Sequence, residues 1–359
     1  MFKYSTCLTA CIFCVFANGF SQTVFVPAQD KHIAYEGRTI FRNGATELMW
    51  PGTSIRINFE GSSIAGVFKD EDTANYYNVI IDKDSMYEIN FGKEKKTYTL
   101  ADHLKTGRHS LQLFKRTEWD KGRTWFYGFE LNKNAALFYP SKPPKRKIEF
   151  FGNSITCGYG IDDPAGNNPT GYFENNYESY AALTARHFNA QYHCTAKSGI
   201  GIMVSWFPLI MPEMYGRADP TDSTSKWDFS KYTPDLVVIN LFQNDSWIVK
   251  MPQNAQFKNR FGTKAPDEAY IIQAYKKFVQ TIRSTYPKAQ IICMLGNMDI
   301  TRTGSPWPGY VQKAVEQLND PKIFIYIAPY KQTGGHPVIA EQKVLADGLI
   351  KFIDEHIKW

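Results

Sequence analysis

The sequence has few features of a metalloprotein or of a protein cross-linked by disulfides. It contains 6 cysteines in 359 residues, and half of them lie before residue 22, in a segment interpreted below as a leader. Cys157, Cys194 and Cys293 would remain, without a Cys-x-x-Cys pair or a His/Cys cluster, which argues against a structural zinc site. We expect free buried thiols, with one disulfide left open by the sequence, and no metal or other cofactor.

Long charged runs and long apolar segments are also missing. The formal net charge is +6, and the longest basic stretch is the Lys-Arg-Lys of residues 145–147, preceded by two prolines. That stretch is too short for a nucleic-acid footprint. No segment reaches the ~18 apolar residues that a membrane-spanning helix needs. The sequence therefore predicts neither a nucleic-acid partner nor a membrane span.

The first 21 residues have the parts of a secretory signal peptide. Lys3 supplies the positive region, Ser5–Phe16 forms a short apolar run, and the small residues Ala17, Gly19 and Ser21 follow. This arrangement predicts cleavage after residue 21 and export of the mature protein, to the periplasm or the medium. A buried N-terminal helix is the alternative.

Residues 22–137 show the pattern of an antiparallel β-domain. Short runs such as Ser54–Phe59 alternate polar and apolar residues and end in turns such as Glu60-Gly61. Roughly eight such runs, with almost no helical periodicity, predict a β-sandwich of jelly-roll type. The proline-rich residues 138–147 then predict a short linker between domains.

Residues 148–359 alternate between strand and helix patterns. The continuous apolar run Leu236–Leu241 is typical of a strand buried on both faces of a parallel sheet. Helices are expected over residues 175–188, 266–285, 309–318 and 338–357. The alternation predicts a three-layer α/β/α domain, in which functional groups gather at the carboxyl ends of the strands.

Four motifs follow predicted strands of this second domain: Gly152-Asn153-Ser154, Ser198-Gly199-Ile200-Gly201, Gln243-Asn244-Asp245 and Gly334-Gly335-His336-Pro337. A serine, a glycine N–H, an asparagine amide and a histidine are the groups that acyl transfer requires. Each motif also has a structural explanation, since serine and asparagine cap helices and glycine permits tight turns.

With these motifs in this order, the second domain resembles the SGNH, or GDSL-type, hydrolases. The whole chain, a β-sandwich joined to Gly-Asn-Ser-Ile-Thr-Cys-Gly-Tyr-Gly, resembles carbohydrate esterase family 2, whose members deacetylate plant polysaccharides. The resemblance implies that Ser154 is the nucleophile and His336 the general base. It also implies an oxyanion hole formed by the N–H groups of Ser154 and Gly199 and the amide of Asn244.

Two positions depart from the family pattern. Phe242 stands where a glycine is usual, and Thr333 stands where the SGNH pattern has an aspartate that orients the histidine. We therefore expect a Ser-His dyad, with the imidazole of His336 held by a backbone carbonyl, as in some family members, or by another acid. Asp299 is the first acid to consider.

Four aromatic residues on the predicted loops are candidates for substrate binding: Trp247, Trp206, Trp307 and Tyr159. Aromatic rings stack on sugars, but they fill protein cores as often. The sequence thus predicts an exported O-acetyl esterase acting on acetylated xylan or glucomannan, as polysaccharide or oligosaccharide. The alternatives are an SGNH lipase or thioesterase, and a glycan-binding protein with an inactive hydrolase domain.

Overall fold

The computed structural model describes residues 23–359, so the predicted signal peptide lies outside the described part of the chain. Two antiparallel sheets come first and a parallel sheet with helices follows. The strands of the first part are β1 (Thr23–Pro27), β2 (Ile33–Glu36), β3 (Thr39–Arg42), β4 (Ala45–Leu48), β5 (Ser54–Glu60), β6 (Ile64–Asp70), β7 (Tyr76–Ile81), β8 (Ser85–Asn90), β9 (Lys96–Ala101), β10 (Arg108–Lys115), β11 (Thr124–Asn132) and β12 (Ala136–Phe138).

The second part contains five parallel strands and, within the described residues, eight α-helices. The strands are β13 (Lys147–Gly152), β14 (Gln191–Ala196), β15 (Leu236–Asn240), β16 (Gln290–Leu295) and β17 (Ile323–Ile327). The helices are α1 (Ser154–Cys157), α2 (Tyr180–His187), α3 (Met211–Met214), α4 (Gln243–Ile248), α5 (Ala255–Phe261), α6 (Glu268–Thr285), α7 (Trp307–Leu318) and α8 (Ile339–His356). No helix in residues 23–359 is long and apolar enough to cross a bilayer.

The first part is a sandwich of two sheets with one core between them. One sheet has the order β3-β4-β11-β6-β9 with β1 added on β11, and the other has β12-β5-β10-β7-β8 with β2 added on β5. On β5, Ile55, Ile57 and Phe59 are buried and alternate with the more accessible Arg56 and Asn58. The predicted sandwich is confirmed. The predicted number of strands was too low because strands of three to five residues are too short to show a periodic pattern.

The parallel sheet has the order β14-β13-β15-β16-β17 and is covered on both faces. Val237 and Ile239 of β15 face the side of α6 and α7, whereas Leu236 and Val238 face α2 and α8. Because both faces are covered, all residues of β15 are buried. The predicted three-layer α/β/α domain is confirmed.

The helix predicted over residues 175–188 is shorter in the structure. Residues Asn176–Glu178 form a separate 3₁₀ turn, and α2 begins at Tyr180. Ser179 interrupts the helix because its extended backbone and its Oγ, which accepts the Ala182 N–H at 3.3 Å, form an N-cap. The three cysteines after residue 22 are free and buried, as expected.

A buried ion pair joins the two domains. Arg38, in the sandwich, places its guanidinium 2.8 Å from the carboxylate of Glu149 on β13, and both side chains are almost fully buried. Thr195 and Tyr286 donate hydrogen bonds to the same carboxylate at 3.0 and 2.6 Å. A buried charge pair of this kind is costly to break, because separating the domains leaves each charge without its partner.

Replacing Arg38 with methionine is expected to reduce the free energy of unfolding by about 3–5 kcal/mol, since Glu149 would remain buried without its cation. Chemical unfolding followed by circular dichroism measures the loss. Lys343→Met is the control, because Lys343 pairs with Asp347 on the exposed face of α8 and should cost less than about 1 kcal/mol. Equal losses in the two variants would contradict a structural role for the buried pair.

Candidate active site

Ser154 lies at the junction between β13 and α1, at the carboxyl edge of the parallel sheet. Its exposed fraction is 5%. Asn153, not Ser154, caps the helix: the Asn153 side chain accepts the Ile155 N–H at 3.1 Å. The Ser154 hydroxyl is therefore not used for capping, and as the first helical residue Ser154 has a backbone N–H without an intrahelical partner.

Gly199 occupies the loop after β14 in a left-handed backbone conformation, with φ of +82°. A side chain at this position would be strained and would come within 3.3 Å of the Trp206 ring. The Gly199 carbonyl accepts the Trp206 N–H at 3.1 Å, which closes the loop. Glycine is thus required by the backbone at the place where an oxyanion donor was predicted.

The amide of Asn244 is held in one orientation by two hydrogen bonds. Its Nδ2 donates to the Ile200 carbonyl at 2.8 Å, and its Oδ1 accepts the indole N–H of Trp206 at 3.0 Å. Because an asparagine amide has two N–H donors, the second remains for another acceptor. The structure therefore brings Asn244 to the loop of Gly199, with a donor free for an oxyanion.

Asp245 is a positioning residue that the sequence reasoning missed. Its buried carboxylate accepts backbone N–H groups of Ile202, Met203 and Val204, at 3.0, 2.7 and 3.1 Å. Burial raises the pKa of Asp245 to about 6, and the backbone N–H bonds oppose that shift. The contacts hold the loop that follows Gly199. An acidic residue beside Asn244 was the available sequence signal.

His336 precedes α8 and is oriented by a backbone carbonyl. Its Nδ1 lies 3.1 Å from the carbonyl oxygen of Gly166, and its main-chain N–H donates to the same oxygen at 3.0 Å. A carbonyl can only accept, so the Nδ1 carries the proton and Nε2 is left as the basic nitrogen. The ring also lies against Tyr159, with 4.7 Å between centroids.

No carboxylate of residues 23–359 forms a hydrogen bond or ion pair with His336. Asp299, the acid considered first, instead accepts the indole N–H of Trp247 at 2.9 Å and the amide of Gln243 at 2.8 Å. Thr333 donates its hydroxyl to Glu341. Of the two possibilities left open by the sequence, the structure shows the backbone carbonyl.

Helix α8 contacts the start of α1 through a side-chain hydrogen bond. The buried side chain of Gln342 donates to the Ile155 carbonyl at 2.9 Å and accepts the Tyr180 N–H at 2.9 Å. On the other side, the Tyr159 N–H donates to the Ser154 carbonyl at 3.1 Å. These contacts pack α8, which His336 precedes, against α1, which begins with Ser154, although the two residues are 182 positions apart in the sequence.

The sequence and the fold of the chain are similar to those of known carbohydrate esterases. Residues 35–140 match the family described as carbohydrate esterase 2 N-terminal, and residues 150–322 match the GDSL-like lipase/acylhydrolase family. A family two carbohydrate esterase from Clostridium thermocellum, solved in complex with cellohexaose, is 33% identical with a TM-score of 0.79, and the match covers 90% of this chain and 98% of that one. The chain belongs to carbohydrate esterase family 2.

Two curated relatives of this family 2 chain are similar over most of its length. The cellulase/esterase CelE of Acetivibrio thermocellus is 33% identical over 348 residues, which are 91% of this chain and 40% of that protein. The chain therefore spans less than half the length of that relative. An acetylxylan esterase / glucomannan deacetylase of Cellvibrio japonicus is 26% identical, and the match covers 94% of this chain and 93% of the relative.

Phe242, the first departure from the family pattern, keeps the backbone that a glycine would give. Its φ is +80°, in the left-handed region that side chains disfavour. The side chain is fully buried and its ring lies 4.7 Å from that of Tyr275 and 5.0 Å from that of Trp307. Burial of the ring offsets the backbone strain, so the turn into α4 is preserved.

The four predicted substrate-binding aromatics fall into different environments. Trp307 is only 3% exposed and packs on Phe242, so the structure removes it from the sugar-binding candidates: it is a core residue at the start of α7. Trp206 is 43% exposed and contacts Asn244. Tyr159 lies on His336, and Trp247 is half-buried with its indole N–H on Asp299. Trp206 and Tyr159 are thus the two that directly contact predicted catalytic groups.

Replacing Phe242 should destabilise the fold more with alanine than with glycine. Both changes lose the buried ring, at about 3–5 kcal/mol, but glycine also relieves the left-handed strain of about 1–2 kcal/mol. Phe257, buried inside α5, is the matched control. At this helical position the glycine variant should have a free energy of unfolding about 1 kcal/mol lower than the alanine variant. Urea unfolding measures all four variants. The same order of stability at both positions would contradict backbone strain at Phe242.

The imidazole of His336 is expected to titrate below the ordinary value of 6.5 for histidine. Burial lowers the pKa, the bond to Gly166 opposes this shift, and the charge of Lys331 adds to it. Lys331→Gln should therefore raise the pKa of His336. Lys351 is exposed near the far end of α8, so Lys351→Gln should leave that pKa unchanged. The ring proton shift followed by NMR against pH measures each midpoint. A wild-type midpoint above 6.5 would show that burial does not control this histidine.

Proposed function

We propose that the chain is an exported O-acetyl esterase that removes acetyl groups from acetylated xylan or glucomannan. The observation that carries the proposal is the Gly166 carbonyl on Nδ1 of His336, which leaves Nε2 as a base in the loop that leads into α8, the helix packed on α1. The substrate class follows the name of the Cellvibrio japonicus relative, an acetylxylan esterase / glucomannan deacetylase. Export rests on the signal-peptide pattern of residues 1–21.

In the proposed mechanism His336 accepts the proton of Ser154 as the serine oxygen attacks the acetyl carbonyl. The oxyanion is stabilised by the N–H groups of Ser154 and Gly199 and by the second N–H of Asn244. One such donor is typically worth about 3–4 kcal/mol. His336 then protonates the departing sugar oxygen, and the same base activates the water that hydrolyses the acetyl-enzyme.

Aromatic side chains border the loop of the predicted oxyanion donor Gly199. A Cβ on Gly199 would already lie 3.3 Å from the Trp206 ring and 3.2 Å from the Phe207 ring. Trp206, with its exposed indole, offers a stacking surface for a sugar ring.

The glycan-binding alternative was based on Phe242 and Thr333. The left-handed backbone of Phe242 preserves the turn, and the carbonyl of Gly166 takes the place of the aspartate next to His336. Neither departure therefore removes a group that the mechanism needs, and the esterase is the better-supported proposal.

Acetate release from acetylated glucomannan and acetylated xylan tests the proposal. Ser154→Ala should lower release at least about a thousandfold without loss of stability, because Asn153 caps α1. Ser179→Ala is the matched control: Ser179 is a buried serine that does cap a helix, so its loss should cost about 1 kcal/mol of stability and leave release unchanged.

Release that persists in Ser154→Ala would overturn the serine mechanism. If the wild-type protein binds these polymers but releases no acetate from them, the glycan-binding alternative replaces the esterase.

A further inference from the structure

The chain segment after β10 carries charged side chains of the sandwich into the second domain. Lys115 ends β10, and Trp119–Lys121 form a 3₁₀ turn before β11. Between them lies Glu118, whose side chain is fully buried. A buried carboxylate needs a partner that compensates its charge and hydrogen-bond donors that satisfy its oxygens.

One oxygen of the Glu118 carboxylate finds such partners beside the predicted oxyanion hole, whereas Oε1 has no hydrogen-bond partner among the described residues. Its Oε2 accepts the backbone N–H of Ser198 at 2.6 Å and lies 3.2 Å from the ammonium of Lys197. The thiol of Cys157, at the end of α1, donates to the same oxygen at 3.8 Å. One side chain from the sandwich therefore touches both the helix that begins with Ser154 and the residue that precedes Gly199.

Neighbouring groups hold Glu118 in place. Its backbone N–H donates to Glu174 at 2.5 Å, and Lys197 also binds Asp120 at 2.7 Å. Burial, and then the charge of Glu118, raise the pKa of Glu174 well above its usual range. The ammonium of Lys197 therefore lies between the carboxylates of Glu118 and Asp120.

We propose that Glu118 is a positioning residue of the oxyanion hole, so that the sandwich takes part in catalysis. This inference rests on the proposed esterase function. Gly199 has no Cβ to restrict its backbone and adopts a left-handed φ of +82°, and its N–H must point at the oxyanion to contribute. Glu118 holds the Lys197–Ser198 peptide, which immediately precedes the peptide that carries the Gly199 N–H, and Asn244 holds the carbonyl of Ile200 on the other side.

Glu118 would make the same contacts if its role were purely structural. The experiment therefore needs a second carboxylate of the sandwich as a control. Glu36 is a mostly buried acid of the sandwich, with 12% of its side chain exposed. It accepts the backbone N–H of Tyr192 at 2.5 Å and pairs with Arg56 at 2.6 Å. Tyr192 lies near the start of β14, at the opposite end of that strand from the loop of Gly199. Glu36 therefore joins the same two domains away from the site.

The experiment compares Glu118→Ala, Glu118→Gln and Glu36→Gln by their melting temperatures and by kcat and KM for 4-nitrophenyl acetate. Glu118→Ala should lower kcat about 10–100-fold with KM within about twofold. Glu118→Gln should recover part of kcat, because its amide oxygen can still accept the Ser198 N–H. Glu36→Gln should lower the melting temperature and leave kcat unchanged.

A kcat within about twofold of wild type in both folded Glu118 variants, or an equal loss in Glu36→Gln, would overturn the positioning role. If Glu118→Ala does not fold, the comparison of Glu118→Gln with Glu36→Gln decides. Wild-type protein that cleaves 4-nitrophenyl acetate but neither acetylated polymer overturns only the glycan substrate. Wild-type protein that cleaves none of the three esters overturns both proposals.

Discussion

Buried charges at the junction of the two domains are the constraint on which the rest of the molecule depends. Arg38 of the sandwich pairs with Glu149 inside the parallel sheet, and Glu118 pairs with Lys197 near the carboxyl edge of that sheet. Separating the domains would leave these ions buried without partners or would require their complete rehydration. The sandwich is consequently held in a fixed position against the hydrolase domain.

This fixed junction explains how loops without regular structure can build a site. The loop that carries Gly166 is held from the sandwich by Arg116, whose guanidinium pairs with Asp162 and whose carbonyl accepts the Asn176 N–H at 2.9 Å. The loop of Gly199 is held by Glu118. Loops can adopt many conformations. Here the conformation of each loop is fixed by polar contacts with rigid elements of both domains.

The two departures from the family pattern are resolved by different physical means. At His336 a neutral carbonyl takes the place of an aspartate; it can orient the ring, but it stabilises the imidazolium less than a full negative charge would. At Phe242 a strained backbone is retained because a large apolar surface is buried. In both cases the position of the group is preserved, but the interaction that stabilises it differs from the one in the family pattern.

The sequence by itself determined the two domain types, since alternation along β5 and the apolar run of β15 report burial through local periodicity. It also indicated Ser154 and His336, because short motifs at strand ends leave a local trace. Only the tertiary structure decided three other features. Trp307 lies in the core, the Gly166 carbonyl contacts a histidine 170 residues away, and Glu118 contacts residues of the second domain. Such contacts join residues far apart in the chain, and no local pattern encodes which of them meet.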